Sequence, residues 1–199
     1  MTRLGVFGGT FDPPHNGHLA LARAARTQLG LEQVLWVLTP DPPHKQGRLI
    51  SPVADRLALL EAALAGEPGA ALSRVDLDRP GPHWAADTLA LLARQFPQAQ
   101  LVYLMGGDSL RDLPRWGRPR EFLAHCTLGV LRRPGVVIEL ADLEQALPGI
   151  TARVEFVDAP PVAIASHDIR RRVRAGETLA GLVPDAVARL IQDRGLYRD

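Results

Sequence analysis

The fold is decided by the stretch Leu4-Gly5-Val6-Phe7-Gly8-Gly9-Thr10-Phe11-Asp12-Pro13-Pro14-His15-Asn16-Gly17-His18-Leu19-Ala20-Leu21-Ala22. It opens as a short apolar run, breaks at two glycines, and resumes as a helical pattern, which is the signature of a strand followed by a turn and a helix. Asn16 is the expected N-cap, setting the helix at Gly17 to Leu29. Glycine lets a backbone pass close to a ligand, and the N–H groups at a helix start attract phosphate. His15 and His18, three residues apart at that start, are placed to meet the same anion.

The same alternation continues outward. Apolar runs predict strands at Leu4 to Phe7, Val34 to Leu38, Ala71 to Val75, Leu101 to Met105, Thr127 to Leu131 and Val154 to Val157. Between them, amphipathic stretches predict helices at Gly17 to Leu29, Pro52 to Ala65, Ala85 to Gln95, Leu140 to Ala146, Ser166 to Arg174 and Pro184 to Asp193. A βαβα order of this kind calls for an α/β fold. The expectation is a Rossmann-like, doubly wound, mainly parallel sheet with helices on both faces and ligands beyond the carboxyl ends of the strands. With no repeat or long polar linker, one domain over 1–199 is expected, its 160–199 part a helical C-terminal segment.

Composition narrows the chemistry. The 199 residues are 46% hydrophobic and carry a net charge of +1, too small a field to grip nucleic acid or an anionic membrane. Any anion must be met by local groups. The single cysteine, Cys126, makes no internal disulfide, and no apolar run reaches membrane-spanning length. Met1-Thr2-Arg3-Leu4 leads into a strand rather than a leader, so the cytoplasm is the expected compartment. Of the 23 basic residues 22 are arginine and one is Lys45, set in Pro42-Pro43-His44-Lys45 after the second strand. A lysine that survives such a bias marks a place for a compact ammonium.

Several motifs are excluded. Gly5, Gly8 and Gly9 do not fit G-x-G-x-x-G, and no G-x-x-x-x-G-K-[ST] occurs, so the dehydrogenase and P-loop readings fall. A zinc site on His15, His18 and His44 lacks a completing cysteine or acid, and no protein metal ligand is expected. A basic-helix RNA reader built on Arg170 to Arg174 conflicts with the near-neutral charge. A non-catalytic nucleotide sensor stays open as a rival. Arg171, Arg172 and Arg174 read as a solvated helix face, Trp36 as core, and His125 and Cys126 as structural. Arg170 differs, because Ser166 stands one turn before it at the anion-attracting end of a helix.

The run Gly8 to His18 resembles the signature of the nucleotidyltransferase superfamily that carries the (H/T)xGH motif. More narrowly the chain is similar to the bacterial nicotinate-nucleotide adenylyltransferase family. Pro42-Pro43-His44-Lys45, Asp87-Thr88-Leu89, Gly106-Gly107-Asp108-Ser109-Leu110 with Trp116, and Ile164 to Arg170 agree with that family in order. The resemblance implies a nucleotidyltransferase domain joining ATP, brought with Mg2+, to a pyridine mononucleotide. It further implies His15, His18, Lys45 and Arg170 at the reacting phosphates, and Gly8, Gly9, Thr10, Phe11 and Ser166 around the nucleotide. Gly106 and Asp108 would then meet the adenosine ribose, with His44 on the acceptor side. Trp116 would stack on the pyridine ring, and backbone donors around Trp84, Ala85 and Thr88 would read its acid group.

The family reads Ser-Tyr-Thr where this chain has His83-Trp84-Ala85, and Ser-Ser-Thr where it has Ala165-Ser166-His167. The first departure falls on the part that reads the pyridine, leaving nicotinamide mononucleotide and phosphopantetheine as alternative acceptors. A fragment of a class I aminoacyl-tRNA synthetase, which has a similar His-x-Gly-His element, is a weak rival, because a chain with one lysine cannot carry that family's lysine-rich second signature. Oligomeric state is left open.

Overall fold

In the computed structural model, which describes residues 1–42, 50–132, 138–159 and 164–198, six strands form one fully parallel sheet. The strands are β1 (Thr2–Gly9), β2 (Gln33–Leu38), β3 (Ala70–Ser73), β4 (Ala99–Gly106), β5 (Thr127–Arg132) and β6 (Val154–Asp158), in the order β3-β2-β1-β4-β5-β6. The connecting helices are α1 (Asn16–Gln28), α2 (Val53–Leu64), α3 (Ala85–Gln95), α4 (Gly107–Asp112), α5 (Pro119–Ala124), α6 (Leu140–Ala146), α7 (Ser166–Arg174) and α8 (Asp185–Asp193). This is the doubly wound, Rossmann-like arrangement expected from the sequence. Its order reverses between β1 and β4, which places a crevice above their carboxyl ends.

Helices on both faces explain why the strands read as continuous apolar runs. Side chains alternate across the sheet. Leu35, Val37, Leu101 and Tyr103 enter one core with Leu89, Leu92 and Phe122, while Trp36, Val102 and Leu104 enter the other with Leu19, Ala22 and Ala25. A third cluster joins Leu59 and Ala63 of α2 to Ile169 of α7 and Val187 and Ile191 of α8, so the C-terminal helices reach the sheet through α2.

The elements depart from expectation in ways that have physical reasons. β1 runs on through Gly8 and Gly9, which pair with Val37 and Leu38, so the glycines are strand residues. A Cβ on Gly8 would lie 2.8 Å from the Tyr103 hydroxyl, and one on Gly9 3.0 Å from the Phe11 ring. Their first function is to admit these two rings. The short helices α4 and α5 escape the sequence pattern because each spans fewer than two turns.

Candidate active site

A cleft of about 1140 Å³ opens at the switch point, lined from β1 and its following turn, from β4 and from the starts of α3 and α7. Its volume suits two nucleotide-sized reactants rather than one small molecule.

The turn after β1 is built around Phe11. This residue holds φ 46°, uncommon for a bulky side chain, and its ring is 2% exposed, packed edge-on to Phe7 and against Trp36. Burying the ring offsets the backbone strain and reverses the chain so that His15 enters α1.

The cap of α1 is His15, one residue before the expected Asn16. Asn16 instead sits inside the first turn, where its N–H donates to Leu182 O at 2.9 Å and its side-chain amide to Gly181 O at 2.9 Å. His15 Nδ1 accepts the His18 N–H at 3.3 Å and His18 Nδ1 accepts the His15 N–H at 3.2 Å, a reciprocal capping box made of two imidazoles. The rings stack with centroids 3.6 Å apart, and Phe11 closes on His18 edge-on at 5.2 Å. With both Nδ1 atoms accepting, each neutral ring carries its proton on Nε2. Two fixed N–H donors therefore belong to residues that line the cleft.

The start of α7 completes this end. Arg170 Nη1 donates to Asp12 O at 2.6 Å, and the Ser166 hydroxyl donates to Pro13 O at 2.9 Å. The serine hydroxyl thus ties α7 to the first motif. The backbone donors left for an anion are the first-turn N–H groups of Ser166 and His167, which have no acceptor within the helix. In α1 the corresponding donor is the N–H of Gly17, the first-turn residue without a protein acceptor among the described residues.

Behind the turn lies a residue the sequence reading missed. Arg56 is 1% exposed and donates to the carbonyls of Ser51 (2.8 Å), Thr10 (3.1 Å), Thr39 (2.9 Å) and Pro40 (2.7 Å). Burial pulls its pKa down and the nearby Asp12 charge opposes that shift. The signal was in the sequence: Arg56 shares the buried stripe of α2 with Leu59, Leu60 and Ala63, and a charge on such a stripe needs a partner.

At the other end, Trp84 caps α3 through its backbone, and the Asp87 and Thr88 N–H groups turn back to Trp84 O at 3.0 and 3.2 Å. Thr88 was expected among the backbone donors, but its N–H is spent there and its hydroxyl lies 2.8 Å from the buried Asp76 carboxylate. The remaining first-turn donors are those of Ala85 and Ala86. Arg79 closes the Asp76 pair at 2.8 Å and also donates to Pro82 O at 3.1 Å. His83 is buried, its Nε2 3.3 Å from Arg79 O and its Nδ1 without a protein partner among the described residues.

Trp116 follows a 3-10 turn over Leu113–Arg115 and packs edge-on to Tyr103 and Phe122, leaving part of the indole in the cleft. The adjacent Gly117 is a notch for Trp84: a Cβ there would lie 2.4 Å from two atoms of that indole. Arg118, at φ 58°, then pairs with Asp87 of α3 at 2.5 Å. Gly106 lines the cleft at the start of α4, whereas Asp108 is half-exposed beside Arg111 at 3.5 Å and lies outside the cleft lining. Gly8, Gly9, Thr10, Phe11, Trp84, Ala85, Thr88, Trp116 and Ser166 all line the same cleft as His15, His18 and Arg170. His44 and Lys45 lie outside the described residues.

Residues 6–172 match the cytidylyltransferase-like family. A protein of Thermomicrobium roseum named a probable nicotinate-nucleotide adenylyltransferase is 48% identical, with 100% of this chain and 92% of that protein aligned. One of Gloeobacter violaceus with the same name is 46% identical over 98% of this chain and 96% of its own. In structure, the nicotinic acid mononucleotide adenylyltransferase of Plasmodium falciparum, solved with NaAD, superposes with a TM-score of 0.80 over 99% of this chain and 98% of its own, at 14% identity. No helix among the described residues is long and apolar enough to cross a membrane. The chain belongs to the cytidylyltransferase-like family and, within it, to the nicotinate-nucleotide adenylyltransferases.

Proposed function

We propose that this chain transfers AMP from ATP to nicotinate mononucleotide, giving nicotinate adenine dinucleotide and pyrophosphate. The observation that carries the reading is that His15, His18, Arg170 and the starts of α1 and α7 line one cleft with Trp116 and the start of α3.

The acceptor phosphate is anionic near neutral pH and attacks the α-phosphorus of ATP directly. A P–O bond forms as the bond from the α-phosphorus to the bridging oxygen of the β-phosphate breaks, so no protein nucleophile is consumed. Catalysis rests on alignment and on neutralising the growing charge. His15 and His18 donate to the triphosphate, and Arg170 with the α7 N–H groups holds its outer phosphates. His44 and Lys45 enter the proposal from the sequence alone, as groups beside the reacting phosphates or the acceptor.

Magnesium arrives as part of MgATP. The cleft suits that form, because its lining is rich in N–H donors while its Asp12 and Asp76 carboxylates are buried and already bonded. The metal would supply charge neutralisation on the phosphate oxygens.

At the acceptor end, Trp116 stacks on the electron-poor ring. The Ala85 and Ala86 N–H groups at the positive end of α3 favour a carboxylate over an amide. Asp87 in that first turn is offset by Arg118 and does not repel the acid.

The test supplies the protein with MgATP and either nicotinate or nicotinamide mononucleotide and measures pyrophosphate. Release dependent on the acceptor, and faster with nicotinate, is expected. ATP binding with no pyrophosphate from either acceptor would make the chain a sensor and defeat the proposal.

A further inference from the structure

A buried carboxylate outside the reacting set, that of Asp12, links the first turn to two distant parts of the chain. It is 5% exposed and sits in the turn that carries His15. Its Oδ1 accepts the Tyr197 hydroxyl at 2.8 Å, and its Oδ2 accepts the Ser51 N–H at 3.2 Å. Arg170 Nη1 bonds the Asp12 carbonyl and stays 4.0 Å from Oδ2, outside hydrogen-bond distance. Arg170 therefore stands beside a buried anion without being captured by it.

Tyr197 is two residues from the end of the chain and does not line the cleft. It holds φ 65°, a left-handed conformation that persists in a non-glycine residue only where its surroundings demand it. Its ring packs against the cluster that contains Ile169, the residue before Arg170. Burial, reinforced by the Asp12 charge, pushes the hydroxyl well above the ordinary tyrosine range, so it remains a donor at working pH.

We propose that Tyr197 is a positioning residue for ATP: its hydroxyl satisfies Asp12 and so keeps the Arg170 guanidinium available to the triphosphate. A buried carboxylate left short of a donor is costly, and a charged donor satisfies it best; here Arg170, already bonded through Nη1 to the Asp12 carbonyl, stands 4.0 Å from Oδ2. Loss of one hydroxyl at the chain's end would draw that arginine away from the substrate. The inference rests on the reading of Arg170 as a phosphate ligand.

Tyr197→Phe keeps the packed ring and removes only the donor. By titration calorimetry with MgATP alone, Kd should rise about tenfold, with thermal unfolding and the KM for nicotinate mononucleotide little changed. Adding Asp12→Asn removes the charge that captures Arg170, so the double variant should bind MgATP more tightly than Tyr197→Phe. An unchanged Kd for MgATP in Tyr197→Phe, or no recovery in the double variant, would overturn the inference. Arg170→Ala separates the levels: if it alone weakens MgATP while Tyr197→Phe does not, only this inference falls. If Arg170→Ala leaves MgATP binding intact, the reading of the site falls with it.

Discussion

The two ends of the cleft are braced in the same way with opposite charge. Beneath the end proposed for the triphosphate a buried cation, Arg56, donates to three carbonyls of the turns after β1 and β2 and to that of Ser51 before α2. Beneath the end proposed for the pyridine a buried anion, Asp76, accepts from Thr88 and Arg79. Buried charges of this kind persist because every bond they need is made, and each fixes loops that would otherwise move. Their signs suit the proposed assignment: Arg56 adds positive potential at the end proposed for the phosphates, while Asp76 is neutralised by Arg79 at the end proposed for the smaller acid. One end is the turn after β1, tied by side chains to α2 and α7. The other is a joint between α3 and the Gly117 turn, closed by Trp84 on Gly117 and Arg118 on Asp87.

The largest effect that would break this comparison comes from Arg56→Ala, which leaves four carbonyls without their donor. A loss of about 3 to 5 kcal/mol of stability is expected, measured by denaturant unfolding; a loss below 1 kcal/mol would show that the turns stand without it. Next is His18→Ala. The His15 Nδ1 bond to the residue 18 backbone N–H survives this change, so the protein should fold while turnover falls at least about a hundredfold. Near-normal turnover would remove His18 from the chemistry. The smallest is Gly117→Ala, whose methyl must push the Trp84 indole aside. The KM for the mononucleotide should rise about tenfold with the ATP KM unchanged. Trp84→Phe in the same chain should restore part of the loss by making room for the methyl. Equal effects on both KM values would deny that the joint serves the pyridine end alone.

The contrast between the ends also explains what could be read in the sequence. Strand and helix order followed from apolar periodicity, because a sheet covered on both faces demands unbroken apolar runs such as Val34 to Leu38. His15 and His18 were legible because their roles arise within one local turn. The cap fell on His15 rather than Asn16 because an imidazole pair three residues apart satisfies both backbone donors, a reciprocity that single-residue preferences do not express. Thr88 is expected among the backbone donors to substrate, but its N–H closes on Trp84 O and its hydroxyl goes to Asp76, twelve residues earlier. Gly117 and Tyr197 carried no visible signal, since their meaning lies in what they touch: an indole from another helix and a carboxylate at the far end of the chain. Arg56 was visible as a charge in an apolar stripe, though its partners were not.

The central claim, that each end of the cleft serves a different substrate, is tested most directly by steady-state kinetics of Arg170→Ala and Trp116→Ala with both substrates varied. Arg170→Ala is expected to raise the KM for ATP and spare that for nicotinate mononucleotide, and Trp116→Ala to do the reverse. Two variants that shift both KM values alike would contradict the division of the site.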